Sequence, residues 1–258
     1  LCCRQKRKEG DHMNEIERLR QIIRDSDRIV FFGGAGVSTE SNIPDFRSQD
    51  GLYNQKNQYP WPPEVMLSRS FFDSHPREFY QFYFDRMIAL DAVPNPAHKA
   101  LAQLEQEGKL SAVITQNIDG LHQKAGSVNV LELHGSVLRN YCMECGKFYG
   151  LEDVLKLRDK DGIPRCELDQ SVIKPDVVLY EEGLDQTVLA KAIHEISHCD
   201  TLIVGGTSLV VYPAAGLLQY FRGRHLVLIN RDATPYDDRA DLVIRDSIGK
   251  ALSEAVAS

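Results

Sequence analysis

An α/β fold is what the sequence predicts: a Rossmann-like parallel sheet with a small second module, zinc-ribbon-like plus a helical insertion. Three observations carry this expectation. Short apolar runs recur along the chain, at 29–32, 112–115, 130–133, 201–204 and 226–229, and each breaks off into glycine or polar residues. Stretches with apolar residues at helical spacing alternate with them. Between 137 and 175 the texture changes and cysteines cluster. In a parallel α/β sheet the strand ends lie along one edge, where ligands bind.

The elements follow in order. Ile16, Leu19, Ile22 and Ile23 mark an amphipathic helix over 14–25 that feeds the first strand. Ile29-Val30-Phe31-Phe32 then runs into Gly33-Gly34-Ala35-Gly36, a buried strand stopped by glycine. The local string Gly34-x-Gly36-x-x-Thr39 resembles a dinucleotide fingerprint with threonine in place of its third glycine. A helix opening at Val37 would present backbone amides to a pyrophosphate; a plain strand-turn-helix is the alternative. Residues 51–63 read as irregular loop, and 70–90 as an aromatic-rich helix whose rings are mostly core. A further helix spans 96–108, with Gly108 as its stop. The division expected is 13–48, 88–136 and 176–258 for the sheet domain, 49–87 and 137–175 for the small module, and 1–12 as a disordered extension.

The chain has 258 residues, a formal charge of −7, 43% hydrophobic and 26% charged residues, as in soluble globular proteins. The acidic balance argues against general affinity for nucleic acid or anionic membrane, and mildly favours basic peptides. No apolar run approaches the ~20 residues of a membrane span. Six cysteines in so long a chain do not make a disulfide scaffold, and a cytoplasmic location is expected.

Four constellations carry candidate chemistry. Asp45, Phe46 and Arg47 place an acid, an aromatic and a guanidinium together behind Pro44, a set suited to a flat, charged cofactor. Asn117 and Asp119 flank Ile118 at a strand end; continued strand alternation would point both polar groups one way, and an Asx-rich turn is the alternative. His134 stands at another strand end before Gly135. An imidazole there is either a structural hydrogen-bonder or a general base near neutral pH. Cys142-x-x-Cys145 and Cys166 form most of a zinc pattern, with Asp169 at the fourth position. A carboxylate can bind zinc, so Cys₃Asp is possible; three cysteines without metal is the competing reading. His194-Glu195-Ile196-Ser197-His198 matches H-E-x-x-H, but its position at a helix end with no evident third ligand counts against a zinc hydrolase.

Four ordered stretches resemble the signatures of the sirtuin family: residues 34–47, then Thr115–His122, then Leu133–Ser136, then Gly205–Ser208 with Val211–Ala215. The resemblance covers about Ile16 to Ala255. It implies an NAD-dependent protein-lysine deacetylase that transfers the acetyl group to ADP-ribose and releases nicotinamide. By that resemblance Gly34, Ala35, Gly36, Thr39, Asp45, Phe46 and Arg47 contact NAD, and Gln116, Asn117, Ile118 and Asp119 line the ribose and nicotinamide pocket. Asp119 would hold the carboxamide, and Asn117 would order a water near the ribose. Gly206, Thr207 and Ser208 would hold phosphates or ribose, and Asn230 the adenosine ribose. His134 is implied as the base, and Asn117 is counted with it as catalytic.

Acetylated lysine peptides or proteins are the partners implied, gripped between Val177–Tyr180 and Val211–Tyr212 as added strands. The protein is expected to be a monomer, with no nucleic-acid or membrane partner. The Tyr-x-x-Arg pair of succinyl-preferring members has Tyr80-Gln81-Phe82-Tyr83 as its counterpart, with Arg86 one turn on. The alternatives are an NAD or ADP-ribose sensor without turnover and the H-E-x-x-H hydrolase.

Overall fold

The computed structural model describes residues 13–45, 51 and 59–257. Its strands are β1 (Ile29–Gly33), β2 (Leu110–Thr115), β3 (Val130–Glu132), β4 (Gly135–Cys142), β5 (Phe148–Gly150), β6 (Ile173–Val177), β7 (Thr201–Gly205), β8 (His225–Ile229) and β9 (Leu242–Ile244). The helices are α1 (Glu15–Asp25), α2 (Pro63–Met66), α3 (Arg69–Ser74), α4 (Pro76–Arg86), α5 (Pro96–Gln106), α6 (Leu121–Lys124), α7 (Leu151–Lys156), α8 (Gln186–His198) and α9 (Ile248–Val256).

Six parallel strands form the larger sheet in the order β3-β2-β1-β7-β8-β9. Alternation along them divides the core in two. Phe31, Val113, Ile203 and Val227 face one layer with residues of α1, α5 and α9. Val30, Phe32, Ile114, Leu202, Val204 and Leu228 face the other with Ala192 and Ile196 of α8. Both faces are covered, so β1 is buried along its whole length, which is why it reads as an unbroken apolar run. Phe31 and Phe32 are fully enclosed, and truncating either would cost about 3–5 kcal/mol.

The chain leaves β1 toward β2 on one side and returns to β7 on the other. The sheet's switch point therefore lies between β1 and β7, where Gly33 pairs with both Thr115 and Gly205. A crevice opens outside the carboxyl ends at such a point.

The small sheet is antiparallel, in the order β5-β4-β6. Against it sits an aromatic cluster holding Phe71, Phe72, Phe79, Tyr80, Phe82 and Tyr83 with Val137 and Val177. The expected helix over 70–90 is two helices. Pro76 lacks an amide proton and cannot continue α3, but its fixed φ suits the first position of α4.

No α-helix opens at Val37 either. Residues 35–41 form two short 3-10 turns instead. Thr39 Oγ1 donates to the Gly36 carbonyl at 3.0 Å, Asn42 takes a left-handed φ of 62°, and Pro44 disfavours helix at Ile43. Val211 and Tyr212 are not a strand but the approach to a 3-10 turn at Ala214–Tyr220. β9 was not expected; three residues are too few to show a period.

Candidate active site

Two glycine loops meet at the switch point. The Gly36 amide donates to the Gly206 carbonyl at 2.8 Å, and a Cβ on Gly36 would lie 2.8 Å from Gly206 Cα. Gly206 itself has φ +60°, in the left-handed region. Glycine at these positions lets one backbone lie directly on the other.

Beside them is a cavity of about 1350 Å³. Its wall includes Gly34, Ala35, Gly36, Thr39, Asp45, Gln116, Asn117, Ile118, Asp119, His134, Gly206, Thr207, Ser208 and Asn230. Phe46 and Arg47 lie outside the described residues, as does the segment 1–12.

The polar groups are ordered from behind. The Gln116 amide donates to the Gly33 carbonyl at 3.0 Å, and Gln116 Nε2 reaches Thr207 Oγ1 at 3.2 Å. The Thr207 amide donates to Asn230 Oδ1 at 3.0 Å. Asn230 Nδ2 is buried with no partner among the described residues, an orphaned donor at the cavity wall. Asn117 Nδ2 donates to Ser38 Oγ at 3.0 Å, and Ser38 Oγ donates to Asp119 Oδ2 at 2.6 Å. The Leu121 amide holds Asp119 Oδ1 at 2.9 Å. Asn117 and Asp119 thus share one target, while Ile118 packs against the aromatic cluster. Ser38, only 1% exposed, went unremarked in the sequence reading. Its signal was a hydroxyl two residues beyond Gly36, in the turn that carries the fingerprint.

His134 lies between β3 and β4. Its Nδ1 is 2.9 Å from the Gln116 carbonyl. A carbonyl only accepts, so Nδ1 carries the proton and Nε2 keeps its lone pair. Burial pushes the imidazole below its ordinary pKa, and the bond to Gln116 partly opposes this.

The cysteine cluster fits a metal. Ligand atoms of Cys142, Cys145, Cys166 and Asp169 all lie within 4.8 Å of one another. Cys145 and Cys166 sulfurs are 3.6 Å apart, and the Cys142 sulfur is 3.4 Å from each Asp169 oxygen. Tetrahedral zinc with Zn–S of about 2.3 Å sets ligand atoms roughly 3.6–3.8 Å apart. The Ser171 amide, 2.9 Å from Asp169 Oδ1, and the neighbouring thiols hold the Asp169 carboxyl down to about 2. Zinc here would be structural, since all four ligand positions come from the chain.

The H-E-x-x-H stretch gathers no metal site among the described residues. Glu195 pairs with Arg28 at 2.8 Å and accepts from Ser111 at 3.0 Å, at the edge of the sheet opposite the cavity. His198 Nδ1 lies 2.8 Å from the His194 carbonyl. Among the described residues no helix is long and apolar enough to cross a membrane.

A doubly wound α/β sheet with an imidazole and an ordered amide-carboxylate set at its switch point has its ligand crevice there. The chain belongs to the Sir2 family, whose model matches residues 34–213. It is 59% identical over 244 residues to a Clostridium acetobutylicum protein named NAD-dependent protein deacetylase, covering 95% of this chain and 99% of that one. Among solved structures it is similar to a Sir2 complex with a deacetylated p53 peptide and 3'-O-acetyl ADP-ribose, with TM-score 0.86, 41% identity, and coverage of 93% and 97%. A Sir2–p53 peptide–NAD+ complex gives TM-score 0.81 and 42% identity, with coverage of 93% and 96%.

Proposed function

We propose that the chain is an NAD-dependent protein-lysine deacetylase acting on acetylated lysine in peptides or proteins. The observation that carries this is His134, its Nδ1 proton committed to Gln116 and its Nε2 unprotonated, in the cavity that also holds Ser38, Asn117 and Asp119. The names of the relatives support it.

NAD, when bound, would supply an electrophilic ribose carbon for the acyl oxygen in exchange for nicotinamide, and a ribose hydroxyl to receive the acetyl group; one water completes the release of free lysine and O-acetyl-ADP-ribose. His134 Nε2 accepts a ribose hydroxyl proton. The Gln116 carbonyl stabilises the imidazolium so formed, because it already accepts the Nδ1 proton. Asp119 holds the carboxamide, with Ser38 fixing its second oxygen. Asn117, steadied by Ser38, orders a water near the ribose. Ile118 brings an apolar wall to the same pocket, and Gln116 its other side.

Gly34, Ala35, Gly36, Thr39, Gly206, Thr207 and Ser208 receive the phosphates and ribose, with Asp45 beside them; Phe46 and Arg47, outside the described residues, are NAD contacts by family resemblance alone. Asn230 Nδ2 donates to the adenosine ribose, which would satisfy its orphaned hydrogen. Cys142, Cys145 and Cys166 hold zinc. The sheet domain comprises 13–48, 88–136 and 176–258, and the small module 49–87 and 137–175.

The peptide lies between Val177–Tyr180 and Val211–Tyr212. Pairing with the backbone at Val177–Tyr180 would give loose sequence selectivity, while Val211 and Tyr212, not a strand here, line the same cavity. A cytoplasmic monomer is the form proposed, and the acidic charge of −7 disfavours general affinity for nucleic acid or anionic membrane. The deciding experiment is nicotinamide release from NAD with and without an acetyl-lysine peptide. Peptide-dependent release is expected; binding of NAD without it would leave a sensor.

A further inference from the structure

Asn95 caps α5 and is almost fully buried, at 5% exposure. Its Oδ1 accepts the amides of Ala97 at 2.9 Å and His98 at 3.4 Å. A cap of this kind needs only the oxygen. The nitrogen is committed elsewhere. Nδ2 donates to the Val37 carbonyl at 2.7 Å and to Ser41 Oγ at 3.0 Å.

Those two acceptors bracket Ser38 and Thr39. Thr39 lines the cavity, and Ser38 joins Asn117 to Asp119. The bracketed stretch is two 3-10 turns, whose internal hydrogen bonds are poorer than those of an α-helix, so it depends on partners from outside. Asn95 also stands where the chain re-enters the large-sheet layer after α4, while Ser41 closes the last turn before the chain departs toward α2. One amide therefore ties the entry of the insertion to its exit.

We propose that Asn95 is a positioning residue: through its side-chain nitrogen it holds the Ala35–Ser41 turns in the arrangement that receives NAD. This rests on the NAD reading of the cavity. Peptide-dependent nicotinamide release by the unaltered protein is the control. If that is absent, the functional reading fails; if it is present and the variants bind NAD normally, only this inference fails.

Asn95→Ser separates the two roles of the side chain. Serine caps a helix about as well as asparagine but cannot also donate to two acceptors. Asn95→Ser should raise KM for NAD roughly five- to tenfold, the worth of about one net hydrogen bond, with KM for the peptide changed less than about twofold and a smaller Tm loss than Asn95→Ala. Asn95→Ala should raise KM for NAD similarly and also lower Tm. Ser41→Ala should raise it less, and should add nothing in the Asn95→Ser background, because the bond it removes is already gone. Unchanged KM for NAD in Asn95→Ser overturns the proposal. So does an equal rise in both KM values together with the Tm loss of Asn95→Ala, which would make Asn95 a cap and nothing more.

Discussion

Ser38 Oγ lies 2.6 Å from Asp119 Oδ2, and the same oxygen accepts Asn117 Nδ2 at 3.0 Å. A hydroxyl from the glycine turn after β1 thereby fixes both polar groups that leave β2. The carboxylate has a second partner in the Leu121 amide, so its orientation is set at both oxygens. Asp119→Asn removes the charge and confronts one of these donors with an amide NH₂. Loss of a hydrogen bond to a charged group should lower kcat/KM for NAD by roughly 10- to 100-fold, with little change in thermal stability. Steady-state kinetics on the folded variant checks this, and an unaltered kcat/KM would show that the carboxylate is not needed.

His134→Ala should lower turnover by on the order of 10²–10⁴ while weakening NAD binding far less, as for loss of a general base. The pH profile carries an independent sign. The base works unprotonated, and burial moves its pKa below the ordinary value of about 6.5, so the neutral form persists into mildly acid solution. The acid limb of kcat/KM should therefore have its midpoint below about 6.5 and should vanish in His134→Ala. A limb centred above neutrality would assign the titration to another group.

The large sheet was legible because each of its central strands is buried on both faces, which forces continuous apolar runs. That His134 and Gln116 would lie at the cavity was legible because they follow β3 and β2 directly. Ser38 was not, since a buried serine in a turn has the same local signature as any surface turn. The turns at Ala35–Ser41 were mistaken for a helix because their stability comes from Asn95, Asn117 and Asp119, all distant in sequence. β9 escaped because three residues in register with β8 show nothing until the sheet assembles around them.

His98 and His122 are both fully enclosed, with ring centroids 4.7 Å apart. Three of their four ring nitrogens, His98 Nε2, His122 Nδ1 and His122 Nε2, have no partner among the described residues, while His98 Nδ1 accepts the Asn95 amide. Burial pushes His98 down to about 4, partly opposed by Asp119, and pushes His122 down to about 3, reinforced by His98. The unfolded chain takes up these protons near pH 6.5, but the folded chain does not until pH 4 and 3. Between those limits the unfolded state binds more protons, so stability is complete above the unfolded value and falls as pH drops through the window. At pH 5 each histidine should cost about 2 kcal/mol. Urea midpoints should drop between pH 7 and pH 5, and His122→Gln should flatten the dependence; equal stability at both pH values would contradict it.

Protein without a histidine tag should carry about one zinc per chain by elemental analysis, bound through Cys142, Cys145, Cys166 and Asp169. Chelation should lower Tm, because metal binding here is folding free energy for the segment joining β4 to β6. Asp169→Ala should shed metal to a weaker chelator than the unaltered protein does, and Asp169→Cys should hold it more tightly. Full metal content in Asp169→Ala would leave three thiolates and a water as the ligand set.

Tyr80 and Tyr83, the counterpart of the Tyr-x-x-Arg pair, do not line the cavity. Both side chains are at most 1% exposed inside the aromatic cluster, and the Tyr80 hydroxyl donates to the Ile173 carbonyl. Arg86, one turn further along α4, does line the cavity, with Nε 2.8 Å from Asp85 Oδ2. An acyl carboxylate approaching Arg86 would have to compete with Asp85 for the guanidinium, and would lose hydration with little net gain. Neutral acyl groups escape that cost. Acetyl-lysine peptides should then be turned over at least about tenfold more efficiently than succinyl-lysine peptides, a gap of ~1.4 kcal/mol in transition-state binding. The measurement is kcat/KM for the two peptides with one flanking sequence. Comparable values, with the succinyl activity lost in Arg86→Met, would show that Arg86 leaves Asp85 to receive the substrate, and that the acyl preference is set on α4 after all.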